Sequence, residues 1–319
     1  MRRETLSCAA ALPVTLTAMV SPTQAEVIDL FLLAGQSNMT GGASINGLPS
    51  AYLTPRQDVN YSWRMQTGAG TNESNGFGPL EHLKGQAVGS TFGPEMGFGH
   101  TLADAMPDRN FALAKFSTNG SNLDSRWGPD DDNLYPEMID FARRQIAGLE
   151  SLGYTVNLEG FVWVQGSGDA YEFRARNYAD NMTDFIAAIR DDLGVADLPV
   201  FMTQEHADSQ RPAVDLLRDQ KQLFVDSDPL AWMVNIDDAA LRDAVHFSTD
   251  ATVLAGQRLA QSYLNVPAPQ ALPAMLALIG LTTSRRRTRP ASLTAWTTAP
   301  RKSSVGFTPH PSRCCRPAR

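Results

Sequence analysis

Ser37 stands in the segment Gly35-Gln36-Ser37-Asn38-Met39, directly after the apolar run at residues 27–34. A hydroxyl placed there becomes a nucleophile if a base is at hand, and its own backbone N–H can face an oxyanion. The base must be a histidine, and between residues 26 and 265 the chain has only His82, His100, His206 and His246. His246 alone closes a run Asp243-Ala244-Val245-His246, with a carboxylate three residues ahead. On a turn, that spacing lets Asp243 hold the Nδ1–H so that Nε2 accepts a serine proton. Gly120, in Ser117-Thr118-Asn119-Gly120-Ser121, permits close backbone approach and offers a second N–H. Gln165, in Gln165-Gly166-Ser167-Gly168-Asp169, offers a third donor through its amide. Taken singly, a serine after a strand reads as a turn or helix cap, and Asp-x-x-His as a capped helix start. The conjunction of nucleophile, base, orienting acid and three donors points to acyl transfer.

These loops need elements to hold them. Apolar runs at residues 27–34, 111–116, 161–165, 199–203 and 231–236 read as strands buried on both faces. Helical spacing lies between them: a helix after Gly93-Pro94-Glu95, then residues 137–152, 175–193, 212–224 and 250–264. Ser248 or Thr249 can cap the last, and Gly194 stops the third. Alternating strands and helices predict an α/β fold, a three-layer α/β/α sandwich around a roughly five-stranded parallel sheet. The Gly-, Asn- and Ser-rich stretch 41–90 is expected to be surface loops after the first strand. In such a sheet the reacting groups sit beyond the carboxyl ends of the strands, where these loops lie.

Composition narrows the functions. The chain has 319 residues, 43% hydrophobic and 19% charged, enough for a large globular core. No uninterrupted apolar stretch is long enough to span a bilayer as a helix. All 34 acidic residues fall within residues 1–250, which carry 17 of the 27 Lys and Arg, a net −17. Such a body repels phosphate backbones, which excludes nucleic acid as its partner. The three cysteines are Cys8, Cys314 and Cys315. The body between them therefore has no disulfide, no thiolate metal site and no cysteine nucleophile. Nothing in the sequence calls for a metal or another cofactor, and no Gly-rich nucleotide loop is present.

The ends differ from the body. Residues 1–25 read as a secretory signal peptide: Arg2-Arg3, an apolar stretch, then Thr23-Gln24-Ala25 with small residues at −3 and −1. Export to a secreted or cell-surface location in a bacterium follows as an expectation. Val266-Pro267-Ala268-Pro269, a short apolar run and Arg285-Arg286-Arg287 make residues 266–288 resemble a PEP-CTERM sorting tail, with Ala268 in place of the usual glutamate. That layout implies sorting machinery as a partner. Residues 289–319 read either as a basic, disordered extension or as the product of a shifted reading frame.

Within the body, Ala34-Gly35-Gln36-Ser37-Asn38-Met39 resembles the nucleophile block of the SGNH hydrolases, in the branch of sialate O-acetylesterases and acetylxylan esterases. Residues 92–98, 115–123, 163–178 and 243–247 are similar to that branch's further blocks, in order, so the resemblance covers about residues 27–264. It implies Ser37, His246 and Asp243 as the catalytic set, and Ser37, Gly120 and Gln165 as the oxyanion hole. Gln36, Asn38, Glu95 and Asp169 are implied as supporting residues, Glu95 by steadying its helix start. The implied function is removal of O-acetyl groups from carbohydrate through an acyl-serine, without a metal. One departure stands out: the third block reads Gln-Gly-Glu-x-Asp in the family, and Ser167 replaces the glutamate here. That leaves Asp243 as the orienting acid and keeps open a catalytically weak or inactive carbohydrate-binding protein on the same fold. A lipid-type esterase is a third reading. Asp130-Asp131-Asp132 reads as a solvated loop rather than a calcium site. Ser167 is a weak rival nucleophile. Trp63, Trp127 and Tyr171 read as packing rather than a sugar-stacking surface.

Overall fold

A computed structural model describes residues 25–82, 84–129 and 134–266. The signal-peptide residues 1–24, the aspartate run at 130–132, all three cysteines, residues 267–288 of the sorting segment and the basic extension lie outside them.

In chain order the strands are β1 Glu26–Gly35, β2 Ala43–Ser44, β3 Arg56–Thr67, β4 Gly70–Glu73, β5 Gly78–Leu80, β6 Thr91–Phe92, β7 Phe111–Thr118, β8 Tyr154–Val164, β9 Val200–Thr203 and β10 Ala231–Val234. The helices are α1 Ser37–Thr40, α2 Glu95–Ala105, α3 Leu123–Arg126, α4 Leu134–Ser151, α5 Glu172–Ala175, α6 Tyr178–Leu193, α7 Val214–Ser227 and α8 Thr249–Leu264. The main sheet runs β10-β9-β8-β1-β7-β3-β4, with β5 also paired to β3. The pairs from β10 to β3 are parallel, while β4 and β5 run antiparallel to β3. One apolar cluster packs α4, α6 and α7 on one face of this sheet, and another packs α2 and α8 on the other. The expected sandwich is therefore present.

Its sheet is wider than expected. The stretch 41–90 is not simply loop, because it contains β3, a sixth parallel strand beside β7. The physical reason is in the alternation of β3: Val59, Tyr61, Trp63 and Met65 are buried, while Asp58, Asn60, Arg64 and Gln66 between them are polar. A strand covered mainly on one face shows a period of two, not an unbroken apolar run. The amino half of β8 escaped notice similarly. Residues 154–160 pair only with β1, and β9 joins from Phe161 onward. The helix expected over 175–193 starts three residues later, at Tyr178, and a separate short helix, α5, precedes it.

β1 lies where the chain changes direction in the sheet, with β7 and β3 on one side and β8, β9 and β10 on the other. A crevice outside the carboxyl end of such a strand is where ligands bind in open α/β sheets. Ser37 sits two residues past that end.

Candidate active site

Gly35 pairs with Ser117 of β7 on one side and Val164 of β8 on the other. Register alone thus gathers Ser37, Gly120 and Gln165 just beyond three adjacent strand ends. Ser37 opens α1, so its N–H has no intrahelical acceptor and remains available to an oxyanion. Gly120 is exposed and adopts φ +66°, a left-handed backbone that favours glycine. The Gln165 amide is buried and aimed: its Oε1 accepts the Tyr178 hydroxyl at 3.0 Å, and its Nε2 donates to Asp169. One Nε2 proton is then left for a ligand.

His246 arrives from the loop between β10 and α8, 209 residues from Ser37 in sequence. Its Nε2 is 3.0 Å from the Ser37 Oγ, and its Nδ1 is 2.9 Å from both Asp243 oxygens. With Nδ1–H donating to the carboxylate, Nε2 is free to accept the serine proton. Asp243 also accepts the N–H groups of Val245 and His246, each at 3.0 Å. Burial works against its charge, but the Val245 N–H, the His246 ring and the His246 N–H together hold its carboxyl below the usual value. Two other described histidines are engaged elsewhere. His100 is packed on Tyr52, and burial pushes it down to about 4. His206 binds the Ala239 carbonyl and the Asp208 N–H.

The supporting residues divide the labour. Gln36 holds the third loop, with Oε1 accepting the N–H of Gly166 at 3.3 Å and of Gly168 at 3.1 Å and Nε2 donating to Ser167 Oγ. Ser167 is thereby a buried acceptor rather than a nucleophile. Asn38 clasps the histidine segment: Nδ2 donates to the Val245 carbonyl and Oδ1 accepts the Phe247 N–H, both at 3.1 Å. Asp169 accepts the N–H groups of Leu123 and Asp124 besides the Gln165 amide. Burial pushes its carboxyl up despite these bonds. Glu95, in the first turn of α2, accepts the Gly93 N–H at 2.9 Å and pairs with Lys115 at 2.9 Å, both side chains fully buried. Trp127 is in the core, edge-on to Trp163, and Trp63 is buried on β3. Tyr171 is partly exposed and accepts a bond from Arg211. Among the described residues no cluster of three or more His, Cys, Asp or Glu is disposed to hold a metal ion.

Two charged groups near the site went unpredicted. Lys221 of α7 is completely buried beneath Gln165, and Glu205, just past β9, is buried beside it. A signal for Lys221 exists: with Val214, Leu217 and Phe224 it falls on the inward stripe of its helix.

A serine, histidine and aspartate in one hydrogen-bonded chain, at the switch point of a mostly parallel sheet, are the arrangement of a serine hydrolase. Residues 27–265 match the family model for carbohydrate esterase, sialic acid-specific acetylesterase, and the chain belongs to that family. It is a carboxylic ester hydrolase. A probable carbohydrate esterase of Arabidopsis thaliana is 25% identical over 250 residues, which cover 74% of this chain and 90% of the plant protein. Its crystal structure superposes with a TM-score of 0.59 over 74% of this chain and 97% of its own, at 20% identity. NanS gives 0.57 at 16% identity, covering 76% of this chain and 98% of NanS. A carbohydrate acetylesterase from Xanthomonas citri gives 0.52 at 17%, covering 73% of this chain and 55% of its own. These structures speak for the shared fold.

Proposed function

We propose that this protein removes O-acetyl groups from carbohydrate by a serine mechanism. Ser37 Oγ attacks the acetyl carbonyl as His246 Nε2 takes its proton, and Asp243 steadies the imidazolium. The Ser37 and Gly120 N–H groups and the Gln165 amide meet the oxyanion. The tetrahedral adduct collapses to an acetyl-serine as His246 returns the proton to the departing sugar oxygen. Water, deprotonated by His246, then releases acetate and restores the serine. The observation that carries this reading is the unbroken chain from Ser37 Oγ through His246 to Asp243, at 3.0 Å and 2.9 Å. Nothing in the geometry favours an inactive sugar-binding protein, since Asp243 supplies an orienting acid with Ser167 in place of a glutamate.

The test is hydrolysis of p-nitrophenyl acetate by the purified protein beside Ser37→Ala and His246→Ala. A burst in the wild type and a loss of about 10⁴-fold or more in both variants is the expected result. Wild-type turnover no faster than the folded variants would sink the esterase reading. We also propose export through residues 1–25. N-terminal sequencing of the extracellular protein should read from Glu26, and retention of the intact leader inside the cell would count against it. Residues 266–288 are proposed as the signal read by a surface-sorting system.

A further inference from the structure

Lys221, on the inward face of α7, is completely buried. It donates to the main-chain carbonyls of Gln165 and of Thr203, the latter at 2.8 Å, joining the ends of β8 and β9. It also lies 5.7 Å from the ring centre of Tyr178, the residue whose hydroxyl holds the Gln165 side chain. Lys221 therefore reaches Gln165 by two routes, through the backbone and through the tyrosine that aims the amide. Glu205 reaches the same side of Gly166, where an added Cβ would collide with the Glu205 carboxylate and crowd the Lys221 ammonium. A cavity of about 10 Å³, room for a single water, is lined by Asn38, Gln165, Gly166 and Glu205 among others. An ammonium buried this deeply is costly unless charge and carbonyls meet it. Here the groups that meet it are the ones that shape the oxyanion donor.

We propose that Lys221 is a positioning residue for the esterase reaction: its ammonium fixes the Gln165 peptide and the Tyr178 ring so that the Gln165 amide faces the oxyanion, with Glu205 as its counter-charge. The inference rests on the serine-esterase reading above. Gln165 touches the reacting oxygen, whereas Lys221 acts only through it, so the effect belongs in turnover and not in substrate binding. The charged and titratable groups facing Lys221 are Glu205, Asp169, Arg218 and the Tyr178 phenol. Arg211 and His206 face Glu205 in turn. Burial brings the ammonium down to about 8, against the pull of Glu205 and Asp169. Its deprotonation as pH rises past that value weakens both carbonyl bonds, which adds an alkaline decline to kcat.

The experiment compares wild type, Lys221→Met, Lys221→Gln and the double variant Lys221→Met/Glu205→Gln on p-nitrophenyl acetate, per folded molecule, across pH 6–10. Ser37→Ala runs in parallel. Lys221→Met should lose 10- to 100-fold in kcat with KM changed less than twofold. Lys221→Gln, which keeps an N–H for the Gln165 carbonyl, should recover part of that and lack the alkaline decline. The double variant should regain thermal stability without regaining kcat. The proposal is overturned if folded Lys221→Met turns over like wild type, if the double variant recovers kcat with its stability, or if the alkaline decline persists in Lys221→Gln. Should Ser37→Ala keep its activity, the esterase reading fails, and that outcome is separate from the others.

Discussion

Asn38 supplies what Asp243 alone does not. The aspartate fixes the imidazole ring, but the backbone carrying His246 is held on both sides by the Asn38 amide, at Val245 and Phe247. Asn38→Ala should therefore lower kcat about 10- to 100-fold with little change in KM, because misalignment of a base costs rate rather than binding. Asp243→Asn should cost about 10⁴-fold by inverting the histidine tautomer. The pH dependence has a definite sign. A carboxyl held below its usual value assists fully above the ordinary carboxylate range and is lost only as pH falls through its lowered value. Stability and kcat measured from pH 7 to 4 should show no step belonging to Asp243, and a step removed by Asp243→Asn would contradict this. The hydrogen-bonded Ser37, His246 and Asp243 proposed as catalytic were legible in the sequence because acyl transfer demands particular side chains in the loops that follow strands. Lys221 was not, since a lysine is read as solvated until its helix stripe is checked. Lys115 hid similarly, inside the continuous apolar run of β7. Glu205 offered no such pattern and is visible only in three dimensions.

Among elements, the crossing of α2 and α8 sets the histidine loop against the nucleophile turn. The helices meet backbone to backbone: a Cβ on Gly256 would run into the Pro94 carbonyl, and one on Gly97 into the Val253 carbonyl. Pro94 immediately precedes Glu95, whose partner Lys115 also bonds the Thr40 carbonyl at the end of α1 at 3.3 Å. Gly256→Ala should thus destabilise the fold by about 1–3 kcal/mol through overpacking, read as a lower urea midpoint at unchanged m. Unchanged stability would mean that the helices can separate freely. Strands buried on both faces were legible from their apolar runs. β3 was not, because eight of its twelve residues are polar and its burial depends on which neighbours cover it. The later start of α6 was hidden because the apolar spacing of Tyr178, Met182, Phe185 and Ile189 fixes the body of the helix and not its first turn.

On the scale of the whole molecule, the net −17 of residues 1–250 acts on any charged substrate before contact. An acetylated sugar bearing a carboxylate is repelled and a neutral acetylated glycan is not. Raising ionic strength from 20 to 200 mM should increase kcat/KM for O-acetyl sialic acid severalfold and leave acetylated xylan nearly unchanged. Equal salt profiles for the two would show that the site's own field, not the body's charge, governs approach. The 209-residue separation of Ser37 and His246 has a consequence in time. The nucleophile leaves the ribosome early, but its base comes only with the loop that leads into α8, the last described helix. A chain still being made or threaded through a membrane holds a serine without a base, so no partial product can cleave esters. Activity should appear in a single step, when α8 docks, and nascent chains halted before residue 240 should be inert however well their sheet has formed.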